Sequence, residues 1–245
     1  MRIVRCVLAI VCTSLSCLQV VSAQKTIAPR DTKELREQNS KLFVFYSGNS
    51  TLDNYIDLQN AKSHDPADQT IVISHSAPRE GIVGTNPNEK SREAYVLDAT
   101  TNSDLIVVAE PRLMNSAATE TGRFIFSDYE VAVNRVLMSR DVTVLPGQTI
   151  VVTRPGGIIQ YRGRQLVGSV PNFDLFTLNE PYMMFLRLLP NGTFLVVGES
   201  AFNLAADQVD IDRRIQKNGT KKLVPKDQFV ADVERAAERL GKAQN

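Results

Sequence analysis

SDLIVVAEPRL (residues 103–113) and GRFIFSDYEVAVNRVL (residues 122–137) are the stretches from which the fold is read. In the first, Leu105 to Ala109 form an unbroken apolar run, as expected of a strand covered on both sides or set in a barrel wall. In the second, Phe124, Phe126, Tyr129, Val131 and Val133 alternate with other residues, and the phase slips by one position at Ser127-Asp128. One extra residue in an alternating run predicts a β-bulge, and bulges bend long strands around a closing sheet. The two stretches together predict a curved sheet rather than a flat one.

Further strands are expected downstream. Thr149 to Thr153 runs into Arg154-Pro155-Gly156-Gly157, a turn by composition, and Ile158 to Tyr161 leads into a tight reversal at Arg162-Gly163-Arg164. Met183 to Leu189 is joined to Phe194–Val197 through Pro190-Asn191-Gly192-Thr193, and Asn-Gly between apolar runs is a strong hairpin signal because both residues accept positive φ. Residues 103–200 are thus expected to hold five or six strands. Pro225 to Gly241 places Phe229, Val233, Ala237 and Leu240 on one stripe, with Gly241 as the stop, which predicts a closing amphipathic helix.

Upstream, helix formers between Asn88 and Thr101 predict a helix ahead of the barrel. Leu42–Tyr46 and Thr70–Ser74 read as two short strands separated by a polar, Asn- and Asp-rich stretch. Residues 24–41 carry few large apolar side chains and read as a polar linker, with a short helix from Thr32 to Asn39 as the competing reading. The expected fold is mainly β (α+β): an OB-like closed or partly open antiparallel barrel with a helix before it and a C-terminal amphipathic helix. Its parts are a leader (1–23), the linker (24–41), N-terminal strands and helix packing on the barrel (42–102), the barrel (103–205), and an extension (206–245) with a helix over 226–241.

The succession SDLIVVAEPRL, GRFIFSDYEVAVNRVL, PGQTIVV and EPYMMFLRLLPNGTFLVV resembles the OB-type β-barrels of the netrin-like class, to which the tissue inhibitors of metalloproteinases belong, and exported bacterial proteins of the same strand order. The resemblance covers about the second half of the chain. It implies the barrel and, in that class, inhibition by an amino-terminal cysteine that chelates the target's zinc. All three cysteines here (Cys6, Cys12, Cys17) lie in the leader, so the resemblance supports the fold and not that mechanism.

The leader itself is read from Arg2 and Arg5, the apolar stretch Val7–Val21, and Val21-Ser22-Ala23 before Gln24, the pattern of a cleaved secretory signal. A retained anchor and lipidation at Cys17 are the alternatives. Cleavage after Ala23 leaves a cysteine-free chain of 222 residues with 26 basic and 27 acidic side chains. That near-neutral balance argues against nucleic-acid binding, which needs clustered Lys and Arg. Localisation is expected to be secreted or periplasmic, with membrane contact only through the leader.

Chemistry-bearing residues are few. The two histidines, His64 and His75, are far apart; His75 reads as a surface histidine, because a dyad with neighbouring Ser76 would need adjacent strand residues to share a face. No G-x-S-x-G, H-E-x-x-H or Walker pattern occurs, so no catalytic, metal or cofactor residues are assigned. Asp207, Asp210 and Asp212 lack a calcium loop's glycine and distal glutamate and read as a solvated turn or strand edge. The candidate recognition residues are Arg154, Tyr161, Arg162 and Arg164, arginines beside a tyrosine on successive turns, set against the plainer reading of charged residues that protect a sheet edge. Asn49, Asn191 and Asn218 head N-x-S/T sequons. The expected function is an exported, non-catalytic binding or envelope-associated module with a protein or peptide partner. The alternatives are a secreted protease inhibitor or peptide binder, and a hydrolase whose site (Ser76, His75 and an aspartate) converges only in the fold.

Overall fold

The computed structural model describes residues 27–28, 30–46, 50–62, 70–75, 92–171, 173–212 and 222–243. The expected leader (residues 1–23), Ser76, Asn49 and Asn218 lie outside them.

Five strands close the barrel: β2 (Leu105–Ala118), β3 (Ile125–Ser139), β4 (Thr149–Pro155), β7 (Tyr182–Leu188) and β8 (Phe194–Asn203). Their order is β2-β3-β4-β8-β7, returning to β2. Most neighbours are antiparallel, but β4 and β8 run parallel through Val152↔Phe194 and Thr153↔Leu195, so the barrel is not wholly antiparallel as expected. This is the Greek-key order of an OB-type barrel. Leu105, Val107, Tyr129, Val131, Ile150, Val152, Phe194 and Val196 point inward and form its core.

The slip at Ser127-Asp128 is not a bulge. Register with β4 is continuous from Phe126 to Ala132, and the shifts fall instead against β2, at Ile106/Val107, Val108/Ala109 and Pro111/Leu113. The alternation breaks at Ser127-Asp128 because Ile125 to Tyr129 are all buried, one face by the barrel and the other by covering elements. A polar pair on a doubly covered strand reads like an inserted residue when only one face is assumed wet.

Residues between β4 and β7 leave the barrel. β5 (Gly157–Tyr161) and β6 (Arg164–Ser169) form a hairpin whose Arg162 and Gly163 both take positive φ, 50° and 75°. The strand expected at Thr70–Ser74, β1 (Ile71–Ser74), joins β6 in parallel, giving a three-stranded sheet β1-β6-β5. This sheet packs Ile71, Ile73 and Leu166 on Ile125 and on Leu52 and Ile56 of α2 (Leu52–Lys62), a helix the Asn/Asp-rich sequence concealed. A Cβ on Gly168 of β6 would lie 2.7 Å from Cβ of Ile125. Gly168→Val should therefore push the sheet off β3 and cost roughly 1–3 kcal/mol, read as a lower urea midpoint.

On the other side, α3 (Arg92–Thr101), β9 (Gln208–Asp212), β10 (Lys222–Pro225) and α4 (Lys226–Ala243) cover Ile106, Met183 and Phe185. Phe229, Val233 and Ala237 of α4 are buried as the stripe predicts, while the helix continues through Gly241 rather than ending there. The β7–β8 hairpin is present, yet Gly192 takes positive φ (82°) and Asn191 does not, and Leu189 N–H bonds Thr193 O across a five-residue connection.

The amino-terminal segment departs most from expectation. The supposed linker forms α1 (Lys33–Ser40), N-capped by Thr32, as the competing reading had it; the supposed strand Leu42–Tyr46 lies in a 3-10 helix (Lys41–Tyr46). Together they lie over the outer face of β3 and β4.

Candidate functional site

Strand alternation sets the geometry of that face. Tyr129 and Val131 point into the barrel, so Asp128 and Glu130 point out, and Thr153 of β4 lies opposite Asp128 in the register. Outward carboxylates on a barrel wall are ordinarily solvated. Here Asp128 and Thr153 have no exposed surface, because Asn39 of α1 seals them.

Asn39 uses both ends of its carboxamide. Its Nδ2 donates to Asp128 Oδ1 at 3.0 Å and to Thr153 Oγ1 at 2.9 Å. Its Oδ1 accepts from Asn191 Nδ2 at 2.8 Å and Thr193 Oγ1 at 3.2 Å, both in the β7–β8 connection. Thr153 Oγ1 also donates to Asp128 Oδ1 at 2.5 Å. One turn on, Phe43 stacks on Phe124 and Phe126, ring centroids 5.4 and 5.2 Å away. At the other end, Asp31 is ion-paired with Arg36, accepts from Asn115 Nδ2 at 2.8 Å, and donates its backbone N–H to Glu130. Ile27 packs against the barrel core and Ala28 N–H bonds Gly192 O. The segment thus spans from the β2–β3 connection to the β7–β8 connection.

Burial pushes the Asp128 carboxyl up to about 6, against the opposing pull of the Thr153 and Asn39 hydrogen bonds. Its Oδ2 has no hydrogen-bond partner among the described residues, and neither has Asp31 Oδ1. Asp31 is also raised, chiefly by desolvation. The folded-state value of Asp128 lies above its unfolded one, so its contribution is full below about pH 4 and is lost as pH rises through about 6. Asp128→Asn keeps the shape and removes the charge; the difference in arm protection between pH 5 and pH 7.5 should fall to less than half that of the wild type, measured by amide exchange over residues 33–43.

The four residues singled out in the sequence do not form one surface. Arg154 is 1% exposed inside the barrel, its guanidinium 4.0 Å from the Phe176 ring centroid, instead of on a solvated turn. Arg164, at the start of β6, is 9% exposed. Tyr161 donates to Asp53 of α2 at 2.9 Å, and Arg162 pairs with the same carboxylate at 3.1 Å, which ties the hairpin to α2. Sequence reasoning missed Asn39, Asp128, Thr153 and Thr193; the only local signal was the polar pair Ser127-Asp128 that breaks the strand's alternation.

His75 is 5% exposed, tilted onto Phe124 at 4.6 Å, and not the surface histidine expected. The end of β1 carries it under the aromatic cluster. Desolvation lowers its pKa, so its contribution is present above about 6.5 and lost as pH falls. His75→Phe should flatten the acid limb of the stability profile, followed by urea midpoints from pH 7.5 to 5.

Among the described residues no group of three or more His, Cys, Asp or Glu side chains could hold a metal ion, and no helix is long and apolar enough to cross a membrane. Asp207 lies near Lys226, 3.9 Å away, as part of a solvated turn before β9. A groove of about 310 Å³ between α3 and α4 is lined by Leu97, Ala236, Asp232, Arg235 and Arg239, with Arg235 paired to Asp232. No protein-family model and no curated protein matches the chain. The fold and the sealed face define an OB-type barrel with a polar outer surface and an arm laid across it.

Proposed function

We propose that the chain is an exported, non-catalytic binding module of netrin-like descent whose ligand face is the outer surface of β3 and β4, between the β2–β3 and β7–β8 connections. The observation that carries this reading is the four-bond seat of Asn39 on Asp128, Thr153, Asn191 and Thr193. Barrels of this order commonly bind along that strand face and those loops. The face offers the Asp128 carboxylate, the Thr153 and Thr193 hydroxyls and the Asn191 carboxamide, a mixture of acceptors and donors that suits a polypeptide, and its one hydroxyl–carboxylate pair, Thr153 and Asp128, is fully buried beneath Asn39. Export rests on the leader pattern of residues 1–23.

The test is a peptide-display selection against the full chain, with the enriched peptides titrated into isotope-labelled protein. Perturbations centred on Asp128, Thr153 and Thr193 support the reading. Perturbations confined to another face, or turnover of a hydrolase substrate panel that Asp128→Asn leaves intact, overturn it.

A further inference from the structure

We infer that residues 31–43 are a ligand held in cis, and that the face takes in trans a helical peptide carrying a side-chain carboxamide four residues before an aromatic ring. This rests on the ligand face argued above and names what fills it.

Three observations support a detachable arm over a permanent part of the core. First, α1 has the sequence KELREQNS, with Leu35 its one large apolar side chain. Eight residues do not hold a helix in water unaided, so α1 exists because it is docked. Second, the contact is compact: the Asn39 carboxamide and the Phe43 ring, separated by one helical turn, make the central contacts, with the Asp31–Arg36 pair at the margin. Third, docking leaves polar atoms unmet. Asp128 Oδ2 and Asp31 Oδ1 are buried with no hydrogen-bond partner among the described residues, and both regain water when the arm lifts. An apolar helix seat offers no such return; this one gives back hydration as it opens, which lowers the free energy of release.

The same contacts define the partner. A primary carboxamide alone among neutral side chains donates to Asp128 and Thr153 while accepting from Asn191 and Thr193. Phe124 and Phe126 call for an aromatic ring one turn later. With the arm lifted, the charged groups left facing the seat are Asp128 and Glu130 on β3, beside Asn115 on β2; Arg36 and Asp31 depart with the arm. A cation three residues before the carboxamide, where Arg36 stands, completes the match. The partner is thus a helix-forming segment with a cation three residues before Asn or Gln and Phe, Tyr or Trp four residues after it.

The probe is a fluorescein-labelled peptide of residues 27–46, titrated into the full wild-type chain and into the full chain bearing Asn39→Leu, which weakens the resident arm. The variant should bind the peptide at least 100-fold more tightly than the wild type, and a peptide that itself carries Asn39→Leu should not bind. Equal binding of both peptides, or no binding to a variant whose barrel amides keep their protection, overturns the inference. Should the variant fail to fold, amide exchange on the wild type decides: opening of residues 33–43 well below the barrel's own opening free energy supports it, and simultaneous opening overturns it. Failure here leaves the ligand face standing if selected peptides still perturb Asp128 and Thr153; selected peptides that map elsewhere sink the face while arm exchange stands.

Discussion

Asn39→Leu will release the amino-terminal arm and leave the barrel folded. Leucine shares asparagine's γ-branched skeleton but is bulkier and can meet none of the four polar groups around it. Asp128 Oδ1 would keep only Thr153 as a donor, Thr153 Oγ1 would lose an N–H, and Asn191 Nδ2 would lose its acceptor, while Thr193 Oγ1 would keep its 2.8 Å bond to Asn191 Oδ1. Leaving buried polar groups unmet costs about 1–3 kcal/mol each, more for an ionised one, so the summed penalty on a docked arm exceeds what so polar a seat can supply. The chain escapes the penalty by lifting α1 and hydrating Asp128. The expected readout is a rise of about 100-fold in amide exchange across residues 33–43, corresponding to about 3 kcal/mol, with strands β2, β3 and β7 unchanged. New protease cleavage in the arm should accompany it. Unaltered arm exchange would mean that Phe43 and Ile27 alone hold the segment.

Phe194→Ala acts on the barrel itself. The β4–β8 seam that closes it is paired over only two positions, and Phe194 fills the core beneath one of them, with no exposed surface. Other seams are longer; β2 and β3 pair from Leu105 to Ala118. A cavity at the shortest seam has little rigid wall to collapse against. Truncation should cost about 4 kcal/mol, within the range for buried phenylalanines, and lower Tm by about 10 °C. The same change at a position on the opposite face of the wall, such as Phe202, which packs on Phe229 of α4, should cost less if the seam argument holds, so the pair of midpoints checks it.

The barrel strands were legible in the sequence because their information is local. Leu105–Ala109, Thr149–Thr153 and Met183–Leu189 carry apolar runs bounded by turn residues, and Phe229, Val233 and Ala237 carry a helical stripe. Periodicity reports which faces are covered, and for these elements the cover is greasy. The α1 segment could not be read that way. Its burial is paid in hydrogen bonds to residues 89, 114, 152 and 154 positions away, so its composition looks solvated. The same blindness moved Arg154 from the interior to an imagined surface turn and made His75 an exposed residue.

By itself the sequence determined the mainly β class, the succession of most strands, the closing helix and the absence of cysteine after residue 17. Tertiary structure alone decided that the barrel closes through a parallel seam, that the β5–β6 hairpin leaves it to pair with β1, and that α1 lies over Asp128. Apolar patterning is written along the chain one element at a time, whereas a buried hydrogen bond is specified only when both partners, far apart in sequence, arrive at one place.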